Sequence, residues 1–123
     1  MKYVALIAAA LLWTATASAQ HSHGNMKGPN GGPMQDVAGV HAELVTTGTT
    51  VTINLLDEAN KPVSSKGFSG TALLVSGAER ETVTLTPAGD SALKGEAKKA
   101  IAAGTSTTIV IKNASGKSGQ AKF

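Results

Sequence analysis

The sequence predicts an all-β fold, a single immunoglobulin-like antiparallel β-sandwich of about seven strands that follows a flexible N-terminal tail. Three observations lead to this prediction. From residue 37 onward, short segments rich in valine, isoleucine and threonine repeat with a period of two, as half-buried strands do. Turn-forming residues interrupt these segments every eight to twelve residues or so, which is typical of such sandwiches. Helical periodicity is missing from the same region, so we expect no helical layer.

The predicted strands follow in the order that the turns dictate. In the first, 40–45, Val40, Ala42 and Leu44 alternate with residues of the opposite face. A glycine turn leads to a second alternating segment, so the two form a hairpin. Pro62, which cannot donate to a strand ladder, then breaks the pattern. The remaining predicted strands are 51–56, 68–75, 81–86, 91–97, 107–112 and 118–123.

One segment, 98–103 (KKAIAA), is ambiguous. It could form one turn of helix or an irregular crossover, and Gly104 ends it in either case. The sequence shows no internal repeat and no second set of elements. We therefore expect one folded domain, residues 37–123.

Residues 1–19 have the features of a secretory signal peptide. A lysine near the start precedes an almost continuous apolar run, and Ala17-Ser18-Ala19 gives the small-x-small pattern at which signal peptidase cuts. The apolar run is too short to span a bilayer comfortably. We expect export to the periplasm, a processed chain that begins at Gln20, and no membrane insertion after cleavage.

Composition excludes several classes of function. The net formal charge of +3 comes from scattered residues, and only Phe68 and Phe123 are aromatic after the predicted signal peptide, so nucleic-acid binding is not expected. The absence of cysteine rules out thiolate metal sites and cysteine nucleophiles. Serines are present without a nucleophile elbow, and a single histidine lies in the predicted domain, so we expect no enzymatic activity.

The predicted tail, residues 20–36, concentrates potential metal ligands. It is rich in glycine and nearly lacks large apolar residues, so it cannot bury enough surface to order itself. It holds His21, His23, Met26 and Met34. Imidazole suits copper, nickel and zinc, whereas thioether selects copper(I), so we expect copper first, as Cu(I) or Cu(II), with nickel or zinc second. The alternative is a solvated linker whose histidines have no role.

A second candidate lies on the first predicted strand. His41 and Glu43 are two residues apart, so on a strand both side chains point to one face, roughly 6–7 Å apart at the backbone. One metal ion could use His41 as a nitrogen ligand and Glu43 as an oxygen ligand or as its support. The alternative is that the pair forms the solvated face of a half-buried strand.

The stretch KGPNGGPMQDVAGVHAELV, residues 27–45, resembles a motif with the consensus G-P-H-G-G followed by G-x-H-x-E-L-V. The motif is found in small exported bacterial proteins and in segments of adaptor proteins from heavy-metal efflux systems of the resistance-nodulation-division type. LLDEANKPV, ETVTLTPAGDSALKGEA and the terminal SGQAKF are also similar to these small proteins, so the resemblance covers most of the processed chain. It implies a periplasmic accessory of copper or other heavy-metal handling.

The chain departs from the motif at one position. Asn30 stands where the motif has histidine, and an amide is a poor ligand for soft or borderline metals. Either the histidines and methionines of the tail compensate, or no site remains there.

Together these observations predict a periplasmic metal-binding accessory protein that captures an ion and delivers it to an efflux adaptor. The alternative is a non-catalytic envelope interaction module that docks through an exposed strand edge and has no metal role.

Overall fold

The computed structural model describes residues 26–123, and within that range it consists of strands, turns and loops without a helix. The strands are β1 (Met34–Val37), β2 (Val40–Thr47), β3 (Thr50–Leu56), β4 (Ser69–Ser76), β5 (Glu79–Ala88), β6 (Ala92–Glu96), β7 (Ser106–Lys112) and β8 (Ser118–Lys122). Every paired strand is antiparallel to its neighbour. The predicted all-β class is confirmed, and each of the seven predicted strands is present.

The strand order is β1-β2-β3-β6-β5-β4-β7-β8. Without β1, this order divides into β2-β3-β6-β5 and β4-β7-β8, which matches the two sheets of a constant-type immunoglobulin domain. Strand β5 belongs to both layers, because residues 79–85 pair with β4 and residues 86–88 pair with β6. The two layers are therefore one continuous sheet folded over a common core.

The core comes from the inward-facing residues of both layers. Ile53, Leu93 and Ile109 are fully buried in it, and Phe68 is its largest side chain. β-branched and leucine side chains supply most of this core, and because the sequence contains no cysteine, no disulfide adds to it.

The structure differs from the predicted tail at residues 26–36. Lys27 forms a bridge with Pro33, and β1 then pairs with β2 through the two-residue turn Ala38-Gly39. Both turn residues have positive φ, 50° and 82°, as a type I′ hairpin requires. The strand pattern of β1 was not visible because its apolar residues, Met34 and Val37, are three positions apart. Residues 20–25 of the predicted tail lie outside the described residues.

The two ends of the sheet lie against each other. Gln35 on β1 donates a 2.9 Å hydrogen bond from Nε2 to the carbonyl of Lys122 on β8. Gly119 also packs so closely on Ala38 that a Cβ there would overlap the Ala38 backbone. The sheet is therefore nearly closed.

The ambiguous segment 98–103 is an irregular crossover and not a helical turn. It is fixed by the amide of Ile101, which donates to the carbonyl of Gly48 at 2.8 Å, and by the Ile101 side chain, which packs on the core. Nothing in residues 26–123 provides a helical membrane span.

Candidate metal site

The two faces of β2 carry different residues. Ala42 and Leu44 lie opposite Leu55 and Ile53 of β3 and belong to the core. Because side chains alternate along a strand, His41 and Glu43 point to the outer face, as predicted. Yet Glu43 is 0% exposed. The predicted alternative of a solvated face is therefore wrong for Glu43, and a separate feature must cover it.

Residues 28–32 (GPNGG), here called the cover loop, bury Glu43. The backbone amides of Asn30 and Gly32 donate to Glu43 Oε2 at 2.8 and 3.0 Å. The Asn30 side chain donates from Nδ2 to Oε1 at 2.8 Å, and Asn54 of β3 adds a longer contact of 3.5 Å. Both carboxylate oxygens are thus hydrogen-bonded, so in this structure Glu43 holds the cover loop and offers neither oxygen to a metal.

Glycine is required in the cover loop by its closeness to β2. A Cβ on Gly28 would overlap the Glu43 carboxyl group, and a Cβ on Gly32 would overlap the carbonyl oxygen of Leu44. The loop also closes on itself, since the amide of Gly28 donates to the carbonyl of Gly32 at 2.8 Å. The G-P-x-G-G stretch and Glu43 therefore form one structural unit.

His41 is held by Asp36, which is not among the predicted ligands. Its Nε2 lies 3.1 Å from Oδ1 of Asp36, its cross-strand partner on β1. Its Nδ1 is buried and has no hydrogen-bond partner in the part of the chain that the structure describes. A carboxylate on one ring nitrogen fixes the ring and leaves the other nitrogen as an electron-pair donor, which is the usual environment of a metal-binding histidine.

The structure brings some predicted ligands together. Met34 is the cross-strand partner of Glu43 and is 4% exposed, so it lies on the same outer face as His41 and Glu43. Met26 is half-buried, and its carbonyl accepts a 2.9 Å hydrogen bond from the amide of Met34. The predicted ligands His21 and His23 lie outside the described residues. We call Met34, Asp36, His41 and Glu43 the outer cluster.

No preformed metal cage is present among residues 26–123, where no group of three or more histidine, cysteine, aspartate or glutamate side chains converges. Open surface clefts of about 430, 510 and 580 Å³ occur among residues 26–123, and His41 lines none of these. The cleft of about 430 Å³ runs beside Asn30 and Asn54, next to the cover loop. The arrangement can hold an ion only with ligands that move or that come from outside the described range.

The contacts of two residues at the candidate site were predictable from the sequence. A two-residue turn at Ala38-Gly39 pairs residue 36 with residue 41, so Asp36 was predictable once VAGV was recognised as a hairpin. Asn30 was noted only as a poor metal ligand. Asparagine can donate hydrogen bonds from both its backbone amide and its side chain, which makes it a suitable partner for a carboxylate.

Comparison with known proteins finds no family model, no curated protein and no solved structure that matches this chain. The resemblance to small exported proteins and to efflux adaptors therefore stays a prediction.

Proposed function

We propose that this chain is a periplasmic metal-binding accessory protein, with copper as its first ion and nickel or zinc second. The observation that carries the proposal is the environment of the His41 side chain. Asp36 holds Nε2 at 3.1 Å, while Nδ1 has no hydrogen-bond partner within residues 26–123. A buried nitrogen without a partner costs stability, and such a group is commonly retained for a functional reason.

The predicted tail meets the fold at Met26, close to His41 on the sheet. Met26 is hydrogen-bonded to Met34, which shares the outer face with His41. His23 precedes Met26 by three residues, so covalent geometry keeps their Cα atoms within about 11 Å. Met26 is thus connected to the outer cluster, and the predicted ligands His23 and His21 precede it by three and five residues in the sequence.

The chemistry of the donors favours copper. Imidazole and thioether without thiolate suit both copper oxidation states, whereas nickel and zinc use the imidazoles but gain little from methionine. Because the ligands lie on a short tether, ordering them reduces the net affinity, which suits capture and transfer better than permanent storage. We propose an efflux adaptor as the recipient.

A titration tests the proposal. The naturally processed protein, purified from the periplasm, is titrated calorimetrically with Cu(I), Cu(II), Ni(II) and Zn(II). We expect micromolar or tighter copper binding that weakens at least tenfold in His21→Ala/His23→Ala and in His41→Ala. The matched control is Ser22→Ala/Asn25→Ala, which alters the same segment without removing an imidazole. Absence of binding by all four ions would overturn the proposal.

The alternative, an interaction module without a metal role, is disfavoured by the sheet. Its proposed contact is a free strand edge. Strands β1 and β8, the two ends of the sheet, lie against each other through Gln35 and Lys122, which covers part of these two edges in the described part of the chain. The proposed role is binding, with no catalytic step.

A further inference from the structure

Strand register places three of the outer-cluster residues at neighbouring positions on one face. Met34 and Glu43 are directly opposite each other on β1 and β2. Such partners have Cβ atoms about 4.5–5.5 Å apart, and His41 follows on the same face at roughly 6–7 Å along the strand. A thioether sulfur, an imidazole nitrogen and a carboxylate oxygen can therefore approach a common point above β1 and β2.

Within residues 26–123, no cation balances the charge of the Glu43 carboxylate. Every hydrogen bond to the Glu43 carboxylate comes from a neutral group, namely two backbone amides and two asparagine side chains. No lysine, arginine or histidine of the described range forms an ion pair with Glu43, since His41 pairs with Asp36. A buried carboxylate without a cation is unfavourable, and an incoming cation would offset that cost.

The nitrogen of His41 gives a second, independent indication. If Nε2 carries the proton that it donates to Asp36, Nδ1 is left as a buried electron-pair donor without a partner. Met34, 4% exposed, adds a buried sulfur on the same face. Three electron-pair donors are thus buried side by side, and none of them has a positive partner there.

The cover loop lies over the Glu43 carboxyl group. Gly28 and Gly32 lie directly against the Glu43 carboxyl group and the backbone of β2, so no ion fits between loop and strand. Three hydrogen bonds to the Glu43 carboxylate hold the loop down, and at its end the amide of Leu44 donates to the carbonyl of Pro33 at 2.9 Å. Lifting the loop would remove the three hydrogen bonds that Asn30 and Gly32 donate to Glu43 and leave only the longer contact from Asn54.

We propose that Met34, His41 and Glu43 form a covered site for a soft monovalent cation of the copper(I) class. The cover loop closes this site until Asn30 and Gly32 release Glu43. The proposal rests on the proposed metal-binding function and extends it, because it assigns a second position to which an ion captured by the N-terminal segment can move. Asn30 acts as the latch, which gives position 30 a role that does not require a metal-binding side chain.

Silver(I), a redox-inert probe for thioether sites, allows a direct test. The processed protein is expected to contain two methionines, Met26 and Met34, so ¹³C-methyl labelling gives one signal for each. We expect Ag(I) to shift both signals and to speed hydrogen exchange of the Gly32 amide at least tenfold, because Glu43 leaves the loop. A shift of the Met26 signal alone, with Gly32 exchange unchanged, would overturn the covered site and leave the proposed function standing. No shift of either signal and no binding would remove both.

Variants sharpen the test. Met34→Leu keeps the volume and removes the sulfur, so we expect one fewer bound Ag(I), whereas the matched Met26→Leu should retain the covered site. Asn30→Ala weakens the latch and should raise the apparent affinity of the covered site about fivefold, because the open state becomes more populated. Equal stoichiometry in the wild type and Met34→Leu, with both folded by circular dichroism, would overturn the proposal.

Discussion

The two faces of β2 are buried by different means. On the inner face, Ala42 and Leu44 are covered by apolar partners from both layers, and an apolar residue of similar volume could replace either. On the outer face, Glu43 is covered by one short loop that needs two acceptor oxygens at this position and no side chain at Gly28 and Gly32. The comparison teaches that the inner face carries global stability. The outer face carries the cover loop, which we expect to open locally while the rest of the domain stays folded.

The largest expected effect is on the inner face. Ile53→Ala removes a fully buried side chain at the centre of β3 and leaves a cavity, so we expect a loss of about 2–5 kcal/mol in the free energy of unfolding. Val110→Ala is the control, because Val110 is 41% exposed and should cost below about 0.5 kcal/mol. Urea denaturation measures both. Similar losses in the two variants would show that the assigned core does not carry the stability.

Glu43→Ala should cost less and act locally. The amides of Asn30 and Gly32 lose their acceptor, but if the cover loop lifts, they can donate to water instead. We therefore expect the free energy of unfolding to fall by about 2 kcal/mol. Hydrogen exchange should become fast at Gly32 and stay slow in β3 and β7. Glu58→Ala, at an exposed turn, is the matched control and should change neither quantity. Loss of protection throughout the sheet would contradict the separability of the outer face.

The same contrast explains what the sequence could and could not predict. The seven strands from β2 to β8 were predictable because each buries one face, and burial of one face imposes a period of two on the sequence. Strand β1 was not, since its pairing comes from the Ala38-Gly39 hairpin and not from its own alternation.

Burial of Glu43 was also out of reach for the sequence alone. Period two placed Glu43 correctly on the outer face, but its cover comes from a glycine-rich segment that composition describes as mobile. Hydrogen bonds to the Glu43 carboxylate help to order this segment, and hydrophobic periodicity does not report such bonds. The candidate ligands on β1 and β2 were found by residue type, whereas the contact of His41 with Asp36 depends on register.

Gly28→Ala tests how closely the loop and Glu43 fit. The added Cβ overlaps the Glu43 carboxyl group, so we expect a loss of about 1–2 kcal/mol as the loop shifts. In a Glu43→Ala background the overlap disappears, and the cost of Gly28→Ala should fall to about that of an exposed substitution, below 0.5 kcal/mol. Thermal denaturation of the four proteins of the cycle measures the coupling. Additive losses would mean that the two residues do not meet.

Asn30→Ala should lower the free energy of unfolding by less than Glu43→Ala or Gly28→Ala does. It removes the side-chain hydrogen bond at 2.8 Å but keeps the backbone donor, so we expect about 1 kcal/mol. Asn54→Ala is the matched control, because its amide reaches the same oxygen only at 3.5 Å and should contribute below about 0.5 kcal/mol. Chemical denaturation distinguishes the two. An Asn54→Ala loss equal to or larger than that of Asn30→Ala would place the latch on β3 instead of on the loop.

The smallest expected effect concerns Glu96, an exposed carboxylate that is also held by hydrogen bonds. The hydroxyls of Thr50 and Thr49 donate to its two oxygens at 2.7 and 2.8 Å and hold the pKa of Glu96 below its ordinary value. A carboxyl whose pKa is lowered in the folded state stabilises the fold above its unfolded pKa, and this contribution is lost as the pH falls through the folded pKa. Thr50→Val should therefore raise the pKa of Glu96 in a carboxyl ¹³C titration and reduce the loss of stability on acidification. Thr52→Val, on the same strand without a hydrogen bond to Glu96, is the control. Because Glu96 is open to solvent, removing its partners should leave hydrogen exchange of the sheet unchanged, whereas the same loss at Glu43 releases a loop.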